Sequence, residues 1–478
     1  MDYLSINLPG YECQLEDDGV SHSTLKVESA AEDLISSGAS ININNIHQLP
    51  CLSYKETINY RSTCTFQIIT EHEGLDSNTG GSALCFAMRS KRMPKPLNGD
   101  HFPIATPRIQ EVMKLVAKNL NARRTIEGNL NDDSSENENL DQSVFQFNQL
   151  RTDLSSVSFV SSWNEDMDCI TTFNYCQPIH VDEETKIKLI SEAHVFCSKC
   201  NITTLILRSK KMKEVAGRFP PHINDVLHLD LGHDRIRVDL GRGEENCTSI
   251  VPVYYHKPED AFQHPNGNTM LQALEWILNK LKTIGASGSS PMNLLEMYCG
   301  AGAHTIPISK TGIFDSIVAV ELDQRLVDAC KDNSRKNSCD LGQKSRNGNI
   351  DLCPAPTTVH VFGGDAGEWA SKSLSRRHKD KLQTEVSDIN IASKLHWQCE
   401  AFQVLLVDPP RAGLDKEVCN LAINGSFEHI IYVSCGRKAL VGDLKVLLEA
   451  FDVVDCTITD LFPRTDSVET LVHLRRKI

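Results

Sequence analysis

From Thr269 to the C-terminus, helical stretches alternate with short apolar runs. Leu271, Leu274, Ile277, Leu278 and Leu281 recur at helical spacing over 269–283, and the runs MNLLEMY, SIVAVEL, VHVFGGD, QVLLVDPP and HIIYVSC follow. Apolar runs of this length bounded by turn residues read as buried strands, and their alternation with helices predicts a parallel sheet with crossover helices. Two stretches interrupt the pattern: 338–356 is polar and irregular, and 371–395 is basic, with Arg376, Arg377, Lys379 and Lys381. Nearer the N-terminus, residues 58–69 and 82–89 alternate in polarity on either side of the turn cluster NTGG, which predicts a hairpin. Over 107–121, Ile109, Val112, Leu115, Val116 and Leu120 share one helical face behind Pro107. The expected architecture is α/β: an α+β domain over 51–255, then a doubly wound domain over 256–478.

Charge changes how the rest is read. The 478 residues carry a net charge of −14, which argues against a nucleic-acid partner until its distribution is considered. Residues 1–50 hold eight acids against the single base Lys26, and EGNLNDDSSENENLD over 127–141 holds six acids and no base. Both segments read as disordered or solvated, the first as a leader and the second as an insertion. Residues 55–124 are basic, with Arg89, Lys91, Arg92 and Lys95 clustered; a solvated loop and a phosphate-binding patch both account for them. No apolar run is long enough to span a membrane, and the N-terminus resembles neither a signal nor a transit peptide, so a cytoplasmic or nuclear location is expected. The 17 cysteines are scattered, which predicts reduced thiols, and Cys197 and Cys200, a CxxC without a second pair, read as buried thiols rather than a zinc site.

Three successive strand ends carry a glycine turn or an acid. LLEMYCGAG ends a strand in a turn where Gly300 and Gly302 let the backbone approach a ligand, next to Tyr298. Glu321 ends the next strand about twenty residues on, where a carboxylate accepts ribose hydroxyls. Asp365 follows Gly363–Gly364 at a third strand end. With no complete pyrophosphate cradle, the trio fits S-adenosylmethionine better than NAD, although each acid alone also fits a helix N-cap. In VLLVDPPRAG, the two prolines fix a rigid extended turn that holds Asp408 over the same pocket. HIIYVSC ends in Cys435. A thiol there is either a small buried hydrophobe or a nucleophile facing the pocket, with Arg437 or Lys438 available to depress its pKa. Glu469 opens the last strand, as a general base or a surface acid.

In order and spacing, LLEMYCGAGAHT, DPPRAGLD, YVSC and FPRTDSVETLVHL resemble the RNA (uracil-5-)-methyltransferases over about 260–478. DAFQHPNGNTMLQALEW is most similar to the bacterial tRNA-type enzymes and their eukaryotic relatives, and NYRSTCTFQI is similar to the Tyr-Arg opening of their RNA-binding domain. The resemblance implies a Rossmann-like S-adenosylmethionine-dependent domain preceded by an α+β RNA-binding domain. It makes Cys435 the nucleophile and Glu469 the proton acceptor. His264, Tyr298, Gly300, Gly302, Glu321, Asp365 and Asp408 become cofactor contacts, and Tyr60, Arg61 and Arg411 RNA contacts; by charge, Arg376 and Arg377 of the basic stretch are candidates for phosphate contacts. The substrate it implies is tRNA, at the T-loop uridine, position 54. The chain departs from the family at His264, which with Gln263 stands where a glutamine is usual, at Gly436–Arg437 in place of Asn-Pro, and at Ser467 in place of histidine. These departures motivate an alternative, an RNA-binding or tRNA-folding protein that has lost turnover. A methyltransferase for another RNA and a cytosine-5 enzyme are further alternatives.

Overall fold

The computed structural model describes residues 18–39, 47–48, 58–71, 83–88, 95–97, 102–122, 146–163, 168–177, 183–209, 213–217, 222–230, 250–262, 264–287, 292–341, 357–380, 402–463 and 467–478. The acidic insertion, residues 1–17 of the leader and the bases Arg89, Lys91 and Arg92 lie outside them. The chain divides into two compact units, one containing Ser53–Asn224, the other Gly19–Leu52 with Asp225–Ile478. No helix among the described residues is long and apolar enough to cross a membrane.

The leader departs from expectation. Asp18–Ser36 forms helix α1, and His47–Gln48 forms a two-residue strand β1; both belong to the second unit. Acidic composition conceals a stripe of Val27, Ala30, Ala31 and Leu34, each at most 8% exposed, spaced so that one helical face meets the core. Glu28 and Glu32 stay exposed. Gly38 at φ 88° terminates the helix, donating its N–H to the Ile35 carbonyl at 3.1 Å.

In the first unit, β2 (Thr63–Glu71) and β3 (Ala83–Met88) form the expected antiparallel hairpin. The two-residue strand β4 (Lys95–Pro96) follows, then α2 (Pro107–Leu120), α3 (Asn148–Arg151), β5 (Leu154–Ser161), β6 (Cys169–Tyr175), α4 (Glu183–Lys199), β7 (Thr204–Ser209) and β8 (Lys213–Gly217). The sheet order is β4-β3-β2-β5-β6-β7-β8, antiparallel except where α4 crosses over between β6 and β7. Thr106 caps α2 by accepting from the Ile109 N–H, Pro107 fills its first turn, and Ile109, Val112, Val116 and Leu120 are buried. Cys197 and Cys200 are buried in this core, and burial pushes both thiols up to about 12.

Strands β9 (His222–Asp230) and β10 (Ile250–Pro258) form a separate ladder. The second unit continues through α5 (Gly267–Ser287), β11 (Asn293–Met297), α6 (Thr305–Ser309), β12 (Ser316–Glu321), α7 (Gln324–Leu341), β13 (Thr358–Gly363) and α8 (Ala366–Asp380). It closes with β14 (Val404–Val407), α9 (Lys416–Asn424), β15 (His429–Ser434), α10 (Arg437–Leu447), β16 (Phe451–Thr459) and β17 (Glu469–Arg476). The sheet order is β1-β16-β17-β15-β14-β11-β12-β13, parallel from β13 to β15, with β17 antiparallel to both its neighbours. The five apolar runs are its five parallel strands. The basic stretch from 371 is helical as far as Asp380, so it continues the α/β alternation there instead of interrupting it.

β10 groups with the second unit for a local reason. Asn333 and Asn337 of α7 clasp β10: Asn337 bonds both backbone groups of Tyr254, and Asn333 those of His256. Asn333 Nδ2 also donates to the Ala301 carbonyl at 2.9 Å, tying the glycine turn to the same helix. Asn333→Leu is expected to cost about 2 kcal/mol or more, since it strands buried backbone groups; urea unfolding of the two proteins checks this.

Candidate active site

The order β13-β12-β11-β14 places a switch point between β11 and β14, where successive crossovers diverge and open sheets form a crevice. The β11 turn opens there. Tyr298, Gly300 and Gly302 all have positive φ, at 63°, 57° and 90°. At Gly300 nothing lies within 4 Å of where a Cβ would stand, whereas a Cβ at Gly302 would come 2.8 Å from Cys330 Sγ. Glu321 is held at the crevice: its Oε2 accepts the Gly300 N–H and its Oε1 the Asp323 N–H, both at 2.9 Å. An open turn backbone beside a fixed carboxylate fits the aminoacyl and ribose ends of S-adenosylmethionine. Tyr298 donates its hydroxyl to Asp415 Oδ2 at 3.0 Å, and burial pushes that phenol above its ordinary range. Asp365 accepts the Glu368 N–H at 2.9 Å, so the N-cap reading describes its contact here, at the start of α8.

Across the crevice, β14 delivers Asp408. Its carboxylate lies 3.9 Å from the buried His264 Nε2, too long for a hydrogen bond. Burial lowers the imidazole to about 4 and raises the carboxyl to about 7, so the contact is not an ion pair at neutral pH. Gln263 lies outside the described residues.

Because β17 runs antiparallel to β15 with Thr470 opposite Ser434, the first residue of β17 lies beside the residue that follows β15. Glu469 and Cys435 are those residues. Glu469 is 1% exposed, its Oε2 is buried without a hydrogen bond, and burial and then Asp408 hold its carboxyl well above the usual range. Cys435 is half-buried. Burial raises its thiol, Glu469 and Asp408 raise it further, and Arg411 opposes them. The thiol is therefore not depressed as its neighbours in sequence suggested. Arg437 is engaged by α1 and Lys438 is exposed; the opposing cation is Arg411, from the turn after β14.

Gly436 is required by that same turn, since a Cβ there would collide with the Arg411 carbonyl. Asp443 of α10 holds the turn from the other side, accepting the Tyr432 hydroxyl at 2.7 Å and the Leu414 N–H at 2.9 Å through one oxygen. The predicted RNA contacts fare differently. Arg411 is exposed at the crevice. Tyr60 is buried in the first unit's core, which leaves its ring no open face for a base, and Arg61 donates to the Thr63 carbonyl at 2.9 Å. Arg376 and Arg377 fall within α8, but their side chains lie outside the described residues.

Sequence reading passed over Glu296. It is 0% exposed in the middle of β11, accepts the Thr305 hydroxyl at 2.6 Å, and lies 3.8 Å from the buried His304, whose imidazole burial lowers to about 3. Burial raises Glu296 to about 8. The available signal was an acid inside an otherwise apolar strand.

The sequence profile of the tRNA (uracil-5-)-methyltransferases matches residues 137–362 and 373–477. The chain belongs to this family. A tRNA/tmRNA (uracil-C(5))-methyltransferase of Pseudoalteromonas translucida is 27% identical over 422 residues, covering 88% of this chain and 89% of its own. One from Saccharophagus degradans is 30% identical, over 69% and 72%. Among solved structures, the tRNA (uracil-54, C5)-methyltransferase of Pyrococcus abyssi, in complex with S-adenosyl-L-homocysteine, shares the fold with a TM-score of 0.52 at 13% identity, over 95% of this chain and 84% of that one. As a family member the chain is an S-adenosylmethionine-dependent transferase for uracil carbon 5 in tRNA, on a Rossmann-like fold.

The buried acids of this methyltransferase make its stability fall as pH rises. Unfolded Glu296 ionises above about 4.5 while the folded protein keeps its proton up to about 8, so the folded state binds more protons throughout that window. His264 and His304, at about 4 and about 3, act in the opposite sense only below 6.5. Between pH 6.5 and 8, Glu296→Gln is expected to flatten the decline by up to about 1.4 kcal/mol per pH unit; urea unfolding without cofactor at the two pH values measures it.

Proposed function

We propose that the chain methylates carbon 5 of the T-loop uridine, position 54, through a covalent adduct between Cys435 and carbon 6. What carries the reading is the meeting of a half-buried thiol and a buried carboxyl, across β15 and β17, at the sheet edge that also holds the glycine turn and Asp408. When bound, S-adenosylmethionine supplies a methyl group on a sulfonium, open to attack by a carbon nucleophile. Uracil carbon 5 is a poor one. Addition of the Cys435 thiolate to carbon 6 pushes electron density onto carbon 5 as an enolate, and makes it one. After methylation, Glu469 in its carboxylate form takes the carbon 5 proton, the carbon 5–6 double bond reforms and the thiolate leaves. A carboxyl held above its usual range is a stronger base once ionised, which suits a carbon acid.

The uracil has to leave its stack to expose carbon 6, at a cost of about a few kcal/mol. Arg411, exposed beside the thiol, is placed to meet the phosphate of the extruded nucleotide and to stabilise the thiolate. The first unit is assigned to tRNA binding. The reading as a protein without turnover loses its motive at Gly436 and Arg437, because the Arg411 carbonyl explains the first and α1 the second.

With a tRNA transcript and methyl-labelled S-adenosylmethionine, the wild type is expected to form 5-methyluridine at a single position. Cys435→Ala is expected to lose at least about 10³-fold in rate, and Glu469→Gln to accumulate a protein–RNA adduct on denaturing gels. Label in cytidine, or tRNA binding without transfer, would overturn the reading.

A further inference from the structure

One face of α1 grips the two loops that present Cys435 and Glu469. Lys26, the only base in the first 50 residues, is 6% exposed. Its Nζ donates to Asp460 Oδ1 at 2.5 Å, the Phe462 carbonyl at 3.0 Å and the Ser467 carbonyl at 3.1 Å. All three acceptors lie on the loop from β16 to β17, which ends two residues after Ser467 at Glu469. One and two turns further along α1, Ser29 and Asp33 take Arg437, two residues after Cys435: Nη2 donates to Ser29 Oγ at 2.7 Å and Nε to Asp33 Oδ2 at 2.8 Å. The stripe of Val27, Ala30, Ala31 and Leu34 fixes the helix on the core between these grips. The thiol loop cannot retreat towards β14, because Gly436 already abuts the Arg411 carbonyl.

We infer that α1 is a clamp on the catalytic pair, with Lys26 and Asp33 as positioning residues that set Glu469 and Cys435 relative to each other. This rests on the roles proposed above for those two residues. An ammonium with three acceptors and a guanidinium bridging two side chains define the loop positions more tightly than apolar contact alone. A misplacement of about 1 Å in such a pair is enough to cost about 100-fold in rate. The clamp also accounts for Arg437, which provides the guanidinium to α1.

The test uses the full-length protein with Lys26→Met, Asp33→Asn and the swap Asp33→Arg/Arg437→Asp. The Asp33 site is partly exposed, so its variant is informative even if Lys26→Met fails to fold. Three quantities are compared: kcat and KM on tRNA, melting temperature, and the pH profile of Cys435 alkylation by iodoacetamide, read by mass spectrometry of its peptide. Asp33→Asn is expected to lower kcat by about 10-fold and Lys26→Met by about 100-fold, with KM for tRNA within about 2-fold. In the same variants the alkylation inflection falls towards that of an ordinary thiol as the thiol and Glu469 separate, and the swap keeps more of the wild-type kcat and inflection than Asp33→Asn does. Unchanged kcat and inflection in folded variants would overturn the clamp, as would a kcat loss that only follows the melting temperature. The alkylation profile needs no RNA. A wild type inactive on tRNA whose thiol still responds to Asp33 would therefore defeat the functional reading while leaving the clamp in place.

Discussion

The antiparallel insertion of β17 between β15 and β16 is the constraint on which the site depends. In a sheet of parallel strands, carboxyl ends gather at one edge and amino ends at the other. Reversing β17 brings its first residue to the carboxyl edge, and the pairing of Ser434 with Thr470 sets that residue beside Cys435. Side chains alternate between faces, so a slip of one residue would turn Glu469 to the opposite face of the sheet. The register is held from both sides: β16 pairs Thr459 with Glu469, while Val468, Val472 and Leu474 pack into the core from one face, so a one-residue slip would bring Glu469 and His473 into their places.

Burial then sets the electrostatics. Glu296, Asp408 and Glu469 all sit where a carboxylate is poorly solvated, and each is pushed towards its neutral form. A site of three ionised acids would repel the thiolate that the proposed mechanism needs. Their shift towards the neutral form limits that repulsion, and Arg411 supplies the opposing charge from the Asp-Pro-Pro turn. The prolines therefore act twice, holding Asp408 at the crevice and sending the chain out to place Arg411 beside Gly436.

How much of this was legible depends on the range of the signal. The five parallel strands and α2 are local patterns, and each appears where apolar periodicity put it. Cys435, Glu469, Glu321 and the glycine turn were legible because strand ends and turns leave marks in sequence. Helix α1 was not. Its four-residue apolar stripe is short and flanked by acids, and composition averaged over 50 residues hides it. Asp443 was missed because it acts on Leu414, distant in the chain, and no spacing rule connects them; Glu296 left only the mark of an acid inside an apolar strand. Arg437 and Lys438 were credited with tuning the thiol on proximity in sequence, yet the cation that does so arrives from the adjacent strand.

Seen from α1, the departure at Arg437 is part of an arrangement rather than a loss. A proline after the thiol loop would stiffen it by fixing φ within the chain. Here φ is free at that position, and the stiffness comes from outside, through a guanidinium tied to Asp33 and Ser29. In the loop before Glu469 the restraint likewise comes from α1, through the Ser467 carbonyl that Lys26 holds. Tertiary restraint from the same helix acts in both loops. That couples the placement of Cys435 and Glu469 to the docking of an N-terminal segment more than 400 residues away in sequence.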